Sequence, residues 1–177
     1  MQIWLEQVQD EPFNWDETQS IAKETLERHE LLDLGPVHWH GQVVYADPGY
    51  FLRAHLSYEQ TLSCNRCLKP IVEHAESDVE LMILVEKHPP LGGEHALHEQ
   101  DLGLMYVPDE VFETDPILIE QLQLNVPMKP LCREDCQGLC AICGADKNAG
   151  ACSCVETTTD SRWAALAALK SRLEEKK

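Results

Sequence analysis

The sequence predicts an α+β fold: an antiparallel β-meander sheet, one or two packed helices and a cysteine-rich C-terminal segment. Three observations carry that reading. Apolar and polar residues alternate with period two in three successive stretches between Val37 and Val85, a helical pattern opens at Asp115-Pro116, and eight cysteines fall into four close pairs. Taken in order, residues 17–32 permit a short helix, with Ile21, Leu26, Leu31 and Leu32 spaced for one side and Lys23 and Glu27 outward. Residues 37–45 alternate as a strand, and Asp47-Pro48-Gly49 reads as the turn of a hairpin. In the next strand, residues 50–62, Leu52, Ala54, Leu56, Tyr58 and Leu62 share one face, with Arg53, His55, Ser57 and Glu59 opposite. Val79, Leu81, Ile83 and Val85 repeat the alternation, which completes a three-stranded meander. Residues 88–98 hold two prolines and two glycines and read as a loop, after which Leu104, Met105, Tyr106 and Val107 return as a strand. Asp115 is expected as the N-cap of a helix with Pro116 first in it, Leu118 and Leu122 on one face, and Pro127 and Pro130 beyond its end. Asp160 is expected to cap a last helix that docks through Trp163, Leu166, Ala167 and Leu173.

Composition narrows the function classes. The chain has 177 residues, 44% of them hydrophobic, enough for one real core and no signature of disorder. With 31 acidic against 14 basic residues, its formal charge of −17 excludes a broad, sequence-blind nucleic-acid binder. The first residues, Met1-Gln2-Ile3-Trp4-Leu5-Glu6, lack a basic and then apolar leader, and no apolar run approaches about 18 residues, so a cytoplasmic protein without membrane partner is expected.

In a reducing compartment, closely spaced cysteines point to metal rather than disulfides. The pairs are Cys64-x2-Cys67, Cys132-x3-Cys136, Cys140-x2-Cys143 and Cys152-x-Cys154. Two thiolates so spaced on a tight turn face one ion, and tetrahedral zinc takes two such pairs, so two structural zinc sites are expected. Gly138 and Gly144 stand beside the turns that such sites need. Spacing alone leaves the pairing open. Eight residues separate Cys143 from Cys152 and 64 separate Cys67 from Cys132. The longer closure costs roughly 1.8 kcal/mol more, little beside the roughly 10–16 kcal/mol of structural zinc binding. The preferred arrangement puts Cys64, Cys67, Cys132 and Cys136 on one ion and Cys140, Cys143, Cys152 and Cys154 on the other. Residues 1–128 then form the body and residues 129–177 a zinc-stapled segment clipped to it through Cys64 and Cys67. Removing the first ion should loosen the whole fold, and removing the second only the tail.

Competing chemistry is weaker. Cys64-Asn65-Arg66-Cys67 lies between antiparallel strands and not at the strand-to-helix junction of a redox pair. His74-Ala75-Glu76 has the H-x-E form of zinc deaminases, but Pro130-Leu131-Cys132 replaces the P-C-x-x-C partner, and both side chains fall on the expected solvent face. His29-Glu30-Leu31-Leu32-Asp33 has Asp where a zincin needs its second His. His88, His95 and His98 read as solvated loop residues, and His38 and His40 as facing water. No enzyme activity and no small-molecule substrate are expected.

Positive charge is concentrated. Residues 64–69 and 129–177 carry ten basic and seven acidic side chains, while the remainder carries four basic and 24 acidic ones. The cysteine-bearing end is therefore where an RNA backbone can be met, and Arg66, Lys69, Arg133 and Lys147 on the knuckles are the expected contacts to RNA or a partner.

Several motifs in order carry a family resemblance: Cys64-Asn65-Arg66-Cys67-Leu68; Asn125-Val126-Pro127-Met128-Lys129-Pro130-Leu131-Cys132; Asp135-Cys136-Gln137-Gly138-Leu139-Cys140-Ala141-Ile142-Cys143-Gly144; and Asp160-Ser161-Arg162-Trp163. Together they resemble the YceD family, the large ribosomal RNA subunit accumulation proteins. The resemblance implies a non-enzymatic ribosome-biogenesis factor of the cytoplasm that supports accumulation of large-subunit rRNA or its precursor. It also implies that the first C-x2-C and the pair near Cys132 and Cys136 belong together, because some members keep only these. Asp160-Ser161-Arg162 departs from the family's frequent Asp-Pro-Arg. The expected function is binding of rRNA or a basic ribosomal protein through a zinc-rigidified surface. The alternative is an acidic adaptor or ribosomal-protein chaperone without RNA contact.

Overall fold

A computed structural model of the chain describes residues 1–85, 103–150 and 152–154. The polypeptide divides into two units, Met1–Glu134 and Asp135–Lys177. The loop expected over residues 88–98, with His88, His95 and His98, and the helix expected after Asp160 lie outside the described residues.

In the first unit the elements run β1 (Gln2–Trp4), α1 (Leu5–Val8), β2 (Phe13–Gln19), β3 (Leu31–Leu34), β4 (Val37–Ala46), β5 (Gly49–Ser63), β6 (Pro70–Val85), β7 (Leu104–Val107), β8 (Val111–Glu113) and α2 (Asp115–Asn125). The expected meander is β4-β5-β6, and it is antiparallel throughout, with Leu52 opposite Val43 on one side and Leu81 on the other. Long alternating strands explain this: all five inward residues named for β5 are buried, with Leu52 and Leu56 fully enclosed. Two strands extend the sheet at its edges. β2 pairs antiparallel with β4, and β7 pairs with β6 in parallel, so the sheet is mixed rather than purely antiparallel. β3 pairs with the end of β5, and β1 and β8 form a separate two-stranded ribbon.

Three expectations need correction. The helix expected over residues 17–32 is instead the end of β2, one 3-10 turn (Lys23–Leu26) and the start of β3. β2 continues through Gln19 because its backbone is paired with β4 as far as Val37, and the turn stops where Glu27 adopts φ 49°. Leu26 and Leu31 are buried as the pattern required, while Leu32 is exposed.

The N-cap of α2 is Thr114, not Asp115, which is already helical. Buried Thr114 turns its hydroxyl to the Met1 carbonyl, 3.3 Å away, and the Asp115 carboxylate pairs with the Met1 amino group. An acidic first-turn residue is stabilising there even without being the cap. Ile117, Leu118 and Leu122 bury one face of α2 against the sheet, and Arg28 donates to the Gln123 carbonyl at 3.0 Å, satisfying an otherwise unpaired last-turn acceptor.

His38 and His40 lie on the outer face of the sheet but are not simply solvated. Their rings stand 5.2 Å apart, and His40 stands 5.3 Å from His55. His38 Nε2 and His55 Nδ1 each lie 2.8 Å from a carboxylate, of Asp16 and Asp78 respectively. The cause is register, since Asp16, His40, His55 and Asp78 are successive cross-strand neighbours.

Beneath this row the sheet is thin at Gly41. A Cβ there would stand 2.5 Å from Trp15 Cζ2 and 2.6 Å from the Arg53 carbonyl, so only glycine lets the Trp15 ring approach β4 this closely. Among the described residues, no helix is long and apolar enough to cross a membrane.

Candidate metal centre

The first knuckle is the connection between β5 and β6. Leu68 N–H donates to the Cys64 carbonyl at 2.9 Å, and Cys64 N–H to the Lys69 carbonyl at 2.9 Å, closing a tight loop with both sulfurs on one side. The second knuckle has the same wiring. Gly144 N–H donates to Cys140 at 2.9 Å and Cys140 N–H to Ala145 at 2.8 Å. The residue after the second thiol must take a left-handed conformation, and Gly144 does so freely at φ 72°. Leu68 occupies the equivalent position at φ 60°, a strained choice for a leucine.

Asn65 brings the next thiol to the first knuckle. Its backbone N–H donates to the Pro130 carbonyl at 2.9 Å and its side chain to the Met128 carbonyl at 3.2 Å. That anchors the strap leading to Cys132, whose sulfur comes within 3.6 Å of Cys67 Sγ. A disulfide would require about 2.05 Å. Four sulfurs around a tetrahedral ion at about 2.3 Å stand about 3.8 Å apart, which matches.

The eight thiols gather as two sets, Cys64, Cys67, Cys132 and Cys136, and Cys140, Cys143, Cys152 and Cys154, with all sulfurs of a set within 4.8 Å of one another. These are the groupings preferred from the sequence. Each set can hold a metal ion, and an all-sulfur tetrahedral donor set suits a soft or borderline ion. Cys64, Cys67, Cys136 and Cys140 are buried, whereas Cys132 and Cys143 are exposed.

The electrostatics fit the same chemistry. Burial alone would push the Cys64 thiol up, but N–H groups of Cys132, Cys67 and Arg66 outweigh it and hold the thiol down at about 6. In the second set the N–H groups of Cys143 and Ile142, followed by the Cys152 thiol, bring Cys140 to about 6. Cys154 is pushed up to about 12, chiefly by its contact with Cys143 and then by burial. Crowded thiolates repel one another, so a cation among them favours their ionised forms.

The basic residues expected at the surface divide by environment. Arg66, Lys69 and Arg133 are exposed beside the first knuckle, and Arg66 donates to the Glu134 carbonyl at 3.1 Å. Lys147 is half-buried in the second unit, its backbone N–H donating to Gly138 at 2.9 Å. His74 and Glu76 are exposed on β6.

Sequence reasoning missed two contributors. Asn65 was legible only as a non-ligand between two cysteines, and Asn148 carried no signal beyond lying in the loop from Cys143 to Cys152. Its side chain contacts Cys136 Sγ at 3.5 Å. The strain at Leu68 did have a signal: aligning the two C-x2-C knuckles places it on Gly144.

Known proteins are similar over part of this chain. Uncharacterized proteins of Mycobacterium bovis and Mycobacterium tuberculosis are 33% identical over 81 residues, which cover 46% of this chain and 37% of theirs. An uncharacterized protein of Mycobacterium leprae is 28% identical over 81 residues, 46% of this chain and 35% of its own. The match thus spans little more than a third of these relatives. No solved structure shows a significant match. The profile of the family described as "Large ribosomal RNA subunit accumulation protein YceD" matches residues 52–170, from β5 through both knuckles, and the chain belongs to that family.

Proposed function

We propose that this chain is a non-enzymatic factor in large-subunit ribosome biogenesis, cytoplasmic in location, that binds large-subunit rRNA or its precursor through knuckles rigidified by two zinc ions. The observation that carries the reading is the pair of four-thiol sets beside the principal basic cluster of an acidic chain. Zinc would supply fixed geometry and neutralise thiolate charge, since four sulfurs around each ion leave no position open for a substrate. The chain's own residues do the binding. Arg66 and Lys69 stand exposed on the β5–β6 connection and Arg133 on the strap that follows Cys132, and Lys147 adds a positive charge from the second unit. Arginine forks suit phosphate oxygens.

The outer sheet face favours a second reading. Asp16, Glu59, Glu76, Asp78 and Glu80 share that face, where Arg53 is already paired with Glu80 at 2.9 Å. Such a surface suits a basic ribosomal protein held before assembly, by an adaptor or chaperone that makes no RNA contact.

One experiment separates them. The variant R66S/K69S/R133S/K147S is compared with the unaltered protein for binding to large-subunit rRNA fragments over a salt series. The RNA reading predicts weaker binding and a salt slope reduced by roughly 0.7–0.9 per lost phosphate contact. Unchanged RNA binding would overturn it. If neither protein binds RNA but both hold a basic ribosomal protein, the second reading stands.

A further inference from the structure

Within the second unit, Asn148 occupies an unusual position. It lies in the loop whose two ends, Cys143 and Cys152, are thiols of the second set. Yet its amide is turned toward Cys136, a thiol of the first set, with Nδ2 at 3.5 Å from Cys136 Sγ. The amide is held there by three further contacts. Nδ2 also donates to Asp146 Oδ1 at 2.7 Å, Oδ1 accepts the Gln137 N–H at 2.8 Å, and the Asn148 backbone N–H reaches Asp146 Oδ1 at 2.9 Å. The loop itself is pinned to the segment just after Cys136, by Lys147 N–H to the Gly138 carbonyl at 2.9 Å and by the bridge between Leu139 and Asp146.

We propose that Asn148 is a positioning residue that couples the two thiol sets, so that metal in one raises the affinity of the other. The inference rests on the reading that both sets hold metal. An N–H aimed at a metal-bound thiolate stabilises its charge and fixes its orientation. That donor is in place only when the loop carrying it is closed, and closing the loop is what an ion on Cys140, Cys143, Cys152 and Cys154 does. Filling the second set therefore presents Asn148 to Cys136 with its ordering cost already met. Coupling of this kind is reciprocal: the first ion must favour the second by the same factor.

The test uses Co2+ on the full-length reduced chain, with thiolate-to-cobalt charge-transfer bands and chelator competition as readouts. C152S/C154S isolates the first set and C64S/C67S the second. The expected results are five. The unaltered chain takes two Co2+. N148A weakens the first set by roughly ten-fold or more, the usual effect of losing an outer partner of a ligand. N148A shifts that set's charge-transfer band to lower energy, which a merely structural loss would not do. In C64S/C67S, N148A leaves the affinity of the second set unchanged within about two-fold, and in C152S/C154S the effect of N148A on the first set largely disappears. Equal weakening of the two sets when each is isolated, in C152S/C154S and C64S/C67S, or no weakening of either in the intact chain, would overturn the coupling while leaving two metal sites intact. An unaltered chain that binds no Co2+ would instead overturn the reading beneath it. If N148A does not fold, N148D keeps the shape and places a carboxylate oxygen against sulfur. It should weaken the first set at least as much, and an unchanged first set in N148D overturns the proposal.

Discussion

Individual residues show most sharply where backbone geometry and side chain disagree. Leu68 takes the left-handed conformation that Gly144 takes in the second knuckle, and it is exposed, so little packing compensates. The left-handed penalty of about 1–2 kcal/mol outweighs the flexibility cost of glycine, about 0.5–1 kcal/mol. L68G should therefore stabilise the protein by about 0.5–1 kcal/mol in urea unfolding; a loss of stability would mean that Leu68 packs where none is seen. Gly41 is the opposite case. A methyl there meets an aromatic ring and a backbone carbonyl at once, and G41A should cost about 1–3 kcal/mol by overpacking, read in the same unfolding experiment. The cysteines were legible because metal chemistry restricts both residue type and spacing. Asn148 was not, because a hydrogen-bond donor to sulfur can come from any nearby amide, and its partner Cys136 is twelve residues away. The histidines were half legible. Alternation placed His38 and His40 outward, but only register across β2, β4, β5 and β6 reveals their rings in a row with His55 that ends on Asp16 and Asp78.

Among the elements, long strands announced themselves and short ones did not. β4, β5 and β6 run 10, 15 and 16 residues, enough for period-two alternation to stand out. β1 and β8 have 3 residues each, too few for any period, and exist because they pair with each other. The turn at residues 23–26 was misread as a longer helix, since Leu26 and Leu31 are buried from a 3-10 turn and a strand whose spacing imitates a helix face. α2 was placed well because Pro116 fixes its start, though the cap lay one residue earlier. Its energetics are open to test. L118A removes a fully buried side chain and should cost about 2–5 kcal/mol, whereas L124A, on the exposed side of the same helix, should change stability by less than about 0.5 kcal/mol. The knuckles make a parallel contrast. C64S disrupts the connection between β5 and β6 and should lower the stability of the sheet by at least about 2 kcal/mol. C152S should lower that transition by less, about 1.4 kcal/mol for a ten-fold loss of coupling, while releasing one equivalent of metal. Equal effects would show that the two sets do not serve the separate elements described.

At the scale of the whole molecule, charge and sulfur are sorted together. The chain carries −17 overall, and ten of its 14 basic residues fall in residues 64–69 and 129–177, which also contain all eight cysteines. Linear distribution was enough to see this, since counting charges needs no fold. What it left out is orientation: Arg66, Lys69 and Arg133 stand exposed around one knuckle, and Lys147 is half-buried in the other unit. Membership of the large ribosomal RNA subunit accumulation family supplies the biological setting. The physical claim underneath is that bound ions make those knuckles rigid. Native mass spectrometry of the purified, reduced chain tests it most directly: two zinc ions per chain, lost together with thermal stability on chelation, is the predicted result. A metal-free chain of undiminished stability would contradict it.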